Sequence, residues 1–260
     1  MRILVTGGRT GYLGRHVVRA AVGHDVVAVG SVDADLRDRG AVVGLVARHR
    51  PDALVHTAYV QSDWQVTAGG AVNVALAAAA HGARLVLVSS DAVFSGGRGT
   101  YDETADPDPI TPYGAAKAAA ETAALAVCAD AVVARTSLIL GDGTSQHEAL
   151  VHALAAGRDG GLFEDERRCP VHVADLATAL VELASTSYVG VLHCAGADAM
   201  SRYELGRAIA RRDGLDAGAL RATSRAVLGV PGPIDVRLDS SRAARVLTTR
   251  LRGAREFLTP

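Results

Sequence analysis

A chain of 260 residues is long enough for one large α/β domain, or for a core with a smaller lobe. Hydrophobic residues make up 49%, charged residues 21%, and the formal net charge is −1, which gives no sign of a nucleic-acid or membrane-surface partner. Cys128, Cys169 and Cys194 form no metal-type pair and read as reduced thiols of a cytoplasmic protein; no signal peptide and no membrane-length apolar run is visible.

Met1 to Thr6 reads as a short buried strand. The turn Gly7-Gly8-Arg9-Thr10-Gly11-Tyr12-Leu13-Gly14 follows, then an amphipathic helix from Arg15 to Val22. That order is the setting of a dinucleotide site, because glycines let the backbone approach a pyrophosphate and a helix N-terminus attracts the anion. Gly7, Arg9, Thr10, Gly11, Tyr12, Leu13 and Gly14 are the candidate contacts. The second strand, Val26 to Val29, ends in Gly30-Ser31, with no carboxylate before Asp33. NAD sites place an acid there to hold the ribose 2′-hydroxyl. Arg9 suits a 2′-phosphate instead, so NADP(H) is expected ahead of NAD(H), with Ser31 at the same strand end. A solvated loop arginine is the competing reading of Arg9.

Arg39 to Arg50 reads as a helix and Ala53 to Tyr59 as a third strand, whose small-residue end lets a cofactor ribose pass Ala58 and Tyr59. His56 reads as a hydrogen-bonded core residue. Val66 to His81 is an alanine-rich helix closed by Gly82. Regular alternation predicts a parallel, doubly wound sheet with right-handed crossovers and ligands at the carboxyl ends of its strands.

The fourth strand, Leu85 to Val88, delivers Ser89-Ser90-Asp91 to such an end. Downstream, Tyr113-Gly-Ala-Ala-Lys117 sets a phenol and an ammonium one turn apart on a helix face. Lys117 is the only lysine; every other one of the 27 basic residues is arginine, which does not give up its proton. A phenol titrates near about 10, and a neighbouring cation lowers that value, tuning it as a general acid or base. A nearby serine hydroxyl would hydrogen-bond a substrate oxygen. The competing reading is a tyrosine and a lysine on a solvated helix. The fall of Thr6, Tyr59 and Ser90 at strand ends weighs against it.

Blocks over most of the chain carry a resemblance. They include Arg2-Ile-Leu-Val-Thr-Gly-Gly8, Pro51-Asp-Ala-Leu-Val-His-Thr-Ala58 and Val88-Ser-Ser-Asp-Ala-Val-Phe94. Pro112-Tyr-Gly-Ala-Ala-Lys117, Cys169-Pro-Val-His-Val-Ala-Asp-Leu176 and Gly190-Val-Leu-His-Cys-Ala-Gly196 continue them. Together they resemble the extended short-chain dehydrogenases/reductases, in particular the dTDP-4-dehydrorhamnose reductase-like, sugar-nucleotide-binding branch. The resemblance implies a Rossmann-type doubly wound parallel sheet with a small C-terminal substrate-binding lobe. Residues 1–142, with 170–195 returning to them, would form the NADP-binding core, and 143–260 most of the lobe. By the same resemblance Ser90, Tyr113 and Lys117 are catalytic. Tyr113 would protonate the alkoxide formed when a 4-keto nucleotide-linked deoxysugar is reduced, Ser90 would polarise the carbonyl, and Lys117 would lower the phenol's pKa and hold the nicotinamide ribose. A homodimer is a further expectation of the family. An epimerase or dehydrogenase of the same fold, or a non-enzymatic NADP-binding regulatory subunit, remains the alternative.

Three departures stand out. The spacing Gly7-x3-Gly11-x2-Gly14 is one residue longer than the family's usual turn. Asp91-Ala92 replaces the Asp-Glu pair of sugar 4,6-dehydratases, which argues against water elimination. Gly232-Pro233 stands where the reductases tend to have Arg-Pro, leaving Arg237 or Arg242 as possible substitute cations near the sugar nucleotide. Farther on, Glu148 to Ala156 reads as a helix, Pro170 to Ser185 as a strand and helix, and Val189 to Ala195 as a sixth strand. Ser201 to Arg212 has a capping-box start, and Asp239 to Arg252 reads as a basic closing helix.

Overall fold

The computed structural model describes residues 1–259. β1 (Arg2–Thr6) runs into the glycine turn and α1 (Tyr12–Ala20), followed by β2 (Asp25–Val29), α2 (Arg39–His49) and β3 (Ala53–His56). A π-helical turn over Gln65–Gly69 enters α3 (Gly70–His81), which stops at left-handed Gly82. β4 (Arg84–Ser90) is buried through Ser89, as a strand covered on both faces must be. Then come β5 (Gly99–Tyr101), α4 (Pro112–Val127), β6 (Ala131–Thr136), β7 (Ile139–Leu140) and α5 (Gln146–Ala155). β8 (Leu162–Phe163), β9 (Arg167–Arg168), β10 (Val171–His172), α6 (Val173–Leu183) and β11 (Gly190–His193) follow. The chain ends with β12 (Met200–Ser201), α7 (Arg202–Arg212), β13 (Ala222–Thr223), α8 (Arg225–Leu228), β14 (Val236–Leu238) and the single turns α9 (Ala243–Val246) and α10 (Ala254–Phe257).

Six strands form one parallel sheet in the order β11-β6-β4-β3-β1-β2. The chain winds outward from β1 to β2 and then returns to β3 on the other side, so a crevice opens at the carboxyl ends of β1 and β3. One face packs on α1 and α6, the other on α2, α3 and α4. A separate apolar cluster, with Leu140, Val151, Leu154, Leu162, Leu205 and Ile209, joins α5 to α7 beside the carboxyl edge. No helix among the described residues is long and apolar enough to cross a membrane.

The structure corrects several expected boundaries. α1 begins at Tyr12, three residues before Arg15, because the turn closes early, with the Gly11 N–H donating to Gly7 O at 2.9 Å. β3 stops at His56 rather than Tyr59: the Thr6 carbonyl is shared there between the Thr57 hydroxyl, at 2.6 Å, and the Thr57 N–H, stretched to 3.4 Å. The expected closing helix over 239–252 does not form. Helix there is confined to Ala243–Val246, after which Leu247 is extended. The backbone N–H and hydroxyl groups of Thr248 and Thr249 all go to the Glu182 carboxylate, and Arg252 is drawn to Asp175, so tertiary partners outbid helix in a β-branched pair. The capping box at Ser201 is present, and Ser145 with Glu148 makes a second one, starting α5 at Gln146.

Beneath α4 the Glu121 carboxylate takes a forked hydrogen bond from Arg135 on β6, with Nη2 at 2.8 Å and Nε at 3.1 Å, and accepts from the Ser89 hydroxyl. Both charged side chains are 3% exposed. Removing one partner strands the other charge in the interior, which costs far more than the pair contributes. Glu121→Ala is expected to lower the unfolding free energy by about 3–5 kcal/mol in urea titrations at pH 7. A loss below about 1 kcal/mol would show that solvent reaches Arg135 and that the pair does not fix the helix.

Candidate active site

A cleft of about 1480 Å³ crosses the carboxyl edge of the sheet and reaches the α5–α7 cluster. Its floor at one end is the glycine turn. Gly7 has φ +73°, and a Cβ on Gly14 would stand 2.2 Å from the Gly7 carbonyl oxygen, so the turn tolerates no side chain there. The extra residue in the turn is absorbed without loss of this packing. α1 has no side-chain cap and no acid in its first turn, so its leading N–H groups are left for an anion. Thr10, Gly11, Tyr12, Leu13 and Gly14 line the cleft, as do Ser31, Ala58 and Tyr59. A crowded glycine cradle below an uncapped helix end is what a dinucleotide pyrophosphate requires, and these residues fit one.

Arg9 is the exception among the expected contacts. Its guanidinium is held by Asp33, at 2.7 Å from Nε, and it does not line the cleft. Asp33 also accepts from the Gly30 N–H at 2.8 Å. The arginine lining this end is Arg37, which pairs with Asp35 and which the sequence reading passed over. Tyr12 reaches across instead: its hydroxyl donates to Asp142 at 2.8 Å, and His16 meets the same carboxylate at 2.9 Å.

Ser90, Tyr113 and Lys117 line the same cleft. Alternation along β4 separates the two serines, sending Ser89 inward to Glu121 while Ser90 opens to the cleft and accepts from the Ala92 N–H at 3.1 Å. α4 is started by Thr111, whose side chain accepts from the Gly114 N–H, with Pro112 at the first position. Gly114 is required here, since a Cβ would lie 2.0 Å from the Ala92 carbonyl oxygen. That contact seats the Tyr113 end of the helix on the turn after β4. The Tyr113 and Tyr59 rings lie 5.7 Å apart.

Lys117 makes no hydrogen bond to the phenol. Its ammonium donates to the Val88 carbonyl at 3.0 Å and sits 5.1 Å from the Tyr59 ring centre. Burial pushes its pKa down to about 8, with Glu121 opposing. Burial also raises the Tyr113 phenol above its ordinary value, Tyr59 adding to the rise and Ser90 working against it. The phenol is therefore protonated at neutral pH. His56, completely buried, bonds Thr6 through Nδ1 at 2.7 Å and does not line the cleft, as expected of a core residue.

The far end of the cleft was not legible in the sequence. Asp91 follows Ser90, is buried, and accepts from the Ser137 hydroxyl at 2.6 Å; burial raises its pKa, with Arg168 and Ser137 opposing. Arg168, 3.5 Å from Asp91, donates to the Pro233 and Ile234 carbonyls at 2.6 and 3.0 Å. Arg225 pairs with Glu166 and donates to Pro231 O at 2.8 Å. Two guanidiniums thus clamp the Pro231–Ile234 loop as a wall of the cleft. Arg225 lies where a Cβ on Gly232 would come within 2.7 Å of Nη1, so a cation from another segment stands beside the glycine that departs from the family pattern. Arg237 and Arg242 do not supply it: they pair with Asp235 and Glu103, and neither lines the cleft.

Comparison with known proteins adds to this geometry. The model of the family described as RmlD substrate binding domain matches residues 1–259. A dTDP-4-dehydrorhamnose reductase of Mycobacterium tuberculosis is 34% identical, over 89% of this chain and 82% of its own length. The methionine adenosyltransferase 2 subunit beta of Pongo abelii is 32% identical, over 93% and 81%. Among solved structures, dTDP-4-dehydrorhamnose reductase from Bacillus anthracis in complex with NADP superposes with a TM-score of 0.88 at 25% identity, covering 99% of this chain and 96% of that one.

The buried ammonium has a measurable cost. Its folded pKa of about 8 lies below the ordinary 10.5, so the unfolded chain binds more protons between those values and stability rises with pH across that window. Below pH 8 the penalty is fully present. Set against the lost bond to Val88, Lys117→Met is expected to be more stable than the parent by about 2 kcal/mol at pH 7. The gain should fade as the pH approaches 10.5 in denaturant titrations of the cofactor-free protein. A variant less stable at pH 7 would refute this account.

Proposed function

The chain belongs to the RmlD substrate binding domain family of extended short-chain dehydrogenases/reductases, and on that footing we propose that it is an NADP(H)-dependent reductase of a 4-keto group on a nucleotide-linked deoxysugar. The observation that carries this reading is the meeting of Ser90, Tyr113 and Lys117 in one cleft with a glycine cradle at one end and a cation-bearing wall at the other. The relatives named as dTDP-4-dehydrorhamnose reductases and the NADP complex support it.

When bound, the nicotinamide cofactor supplies the hydride. The glycine turn and the α1 N-terminus would hold its pyrophosphate, and Ser31, Ala58 and Tyr59, which line the same end of the cleft, would face its riboses. On the protein side, the Ser90 hydroxyl donates to the carbonyl oxygen and so stabilises the charge developing there. Tyr113, kept protonated by burial, gives its proton to that oxygen. Lys117 places a positive charge in the same water-poor wall, where it favours the phenolate left behind. Residues 1–142 with 170–195 serve cofactor binding, and the remainder after 143 serves substrate binding.

NADPH absorbance should fall with dTDP- or UDP-linked 4-keto-6-deoxysugars, and Tyr113→Phe should lower kcat by at least about 100-fold. Tight NADPH binding without turnover of any such sugar would refute the reductase reading. The protein would then stand closer to the methionine adenosyltransferase beta subunits, which it resembles to a similar degree. Arg37→Ala is expected to raise KM for NADPH about tenfold and to leave NADH unchanged, with Arg9→Ala having the smaller effect. Equal effects on both coenzymes would remove the argument for a 2′-phosphate site.

A further inference from the structure

The lobe wall carries a histidine that the proposed chemistry does not use. His147, the second residue of α5, lines the cleft. Its Nδ1 lies 3.2 Å from Arg202 Nη2 on α7. A guanidinium only donates, so Nδ1 must accept, and the ring proton of a neutral imidazole is forced onto Nε2. Nε2 has no protein partner and is not sealed off among the buried orphan atoms. Burial, reinforced by Arg202, pushes the His147 pKa down to about 3, so the ring is neutral throughout the physiological range.

The charges around it do not cancel. Arg168, Arg202 and Arg225 surround Glu166, with Asp91 beyond it. Three guanidiniums lie within reach of only two carboxylates, since the neighbouring Asp165 is committed to the Ser224 hydroxyl and the Arg225 and Ala226 N–H groups, and Asp91 is itself held towards its neutral form by burial. Arg202 Nη1 is buried without a partner. An excess of positive charge with an open N–H donor at its edge is complementary to an anion and hostile to a cation.

Resting on the reductase reading above, we propose that His147, fixed by Arg202 as an Nε2–H donor, hydrogen-bonds a diphosphate oxygen of the nucleotide-linked substrate. Arg202 acts through His147 as a positioning residue, and the surplus charge of Arg168, Arg202 and Arg225 draws the diphosphate to that end of the cleft. A neutral donor beside fixed cations recognises the anion without adding a group that titrates near neutrality. His147 is in this sense a specificity residue, separate from the proton transfer at Tyr113.

The test uses the full chain loaded with NADPH, titrated calorimetrically with dTDP-glucose, whose diphosphate carries no group titrating near neutrality. His147→Phe keeps the ring and removes the donor, and Kd should rise about tenfold or more. His147→Gln restores an N–H donor and should recover most of the affinity, with thermal melting checking that both variants fold. Ring-nitrogen NMR shifts should report the Nε2–H tautomer in the parent and lose that preference in Arg202→Gln. Parent-like binding by His147→Phe, no recovery in His147→Gln, or a proton on Nδ1 overturns the inference. So does parental protein that binds no dTDP-glucose at millimolar concentration. If His147→Phe binds as the parent does while Tyr113-dependent reduction persists, the subsite is wrong and the reductase reading stands. If dTDP-glucose binding depends on His147 but no sugar is reduced, the subsite stands and the reductase reading falls.

Discussion

The pairing of Glu121 with Arg135 under α4 is the constraint on which the catalytic geometry depends. It joins the helix carrying Tyr113 and Lys117 to β6, and through Ser89 to the strand that ends in Ser90. Each of the three proposed catalytic groups is thereby referred to one buried carboxylate. An ion pair of this kind is a weak contributor to stability compared with an apolar replacement, but it admits one register only, because a helix slipped by a turn would strand both charges. The close seat of Gly114 on the Ala92 carbonyl holds the other end of the same helix. Position is fixed at two points, and the side chains between them inherit it.

Against that rigid frame the electrostatics are arranged for poise. Lys117 and Tyr113 are both shifted towards their neutral forms by burial, one downward and one upward. The fold bears the cost of an ammonium in a water-poor wall, and this is the sort of local conflict that functional sites show. Asp91 and His147 are treated the same way by the lobe side, where burial shifts each towards its neutral form beside Arg168 and Arg202. The net result is positive ground at the lobe end and a proton-bearing centre in the middle.

Much of this was legible in the sequence, for definable reasons. Strand-turn-helix order gave the nucleotide end, period-3.6 spacing put Tyr113 and Lys117 on one face, and a lone lysine among arginines singled out the pair. Those are local patterns, and local patterns survive folding. What was misjudged depended on distant partners. Arg9 was expected at a phosphate, yet a carboxylate 24 residues on holds it. Lys117 was expected to lower the phenol's pKa, yet burial raises it and the ammonium's hydrogen bond goes to the Val88 carbonyl. The basic segment over 239–252 had the composition of a helix but lost its backbone donors to Glu182, 66 residues away. The lobe wall was unreadable for the same reason: Arg168, Arg202 and Arg225 are scattered in sequence and meet only around Glu166. A replacement cation was expected after Pro233, at Arg237 or Arg242, whereas Arg225 lies before it.

The clamped Pro231–Ile234 loop carries an implication for how this site can change. Its carbonyls are tied down by Arg225, a few residues upstream, and by Arg168, from a strand 65 residues earlier. A loop with a side chain in place of Gly232 would be strained at φ +146° and would displace the Arg225 guanidinium, and one lacking the turned-in carbonyls would leave Arg168 with donors unsatisfied. The loop and its two clamps therefore form one hydrogen-bonded unit contributed by distant parts of the chain. Replacing a clamp without refitting the loop would leave its carbonyls without their partners, so the wall keeps its shape only while both places match.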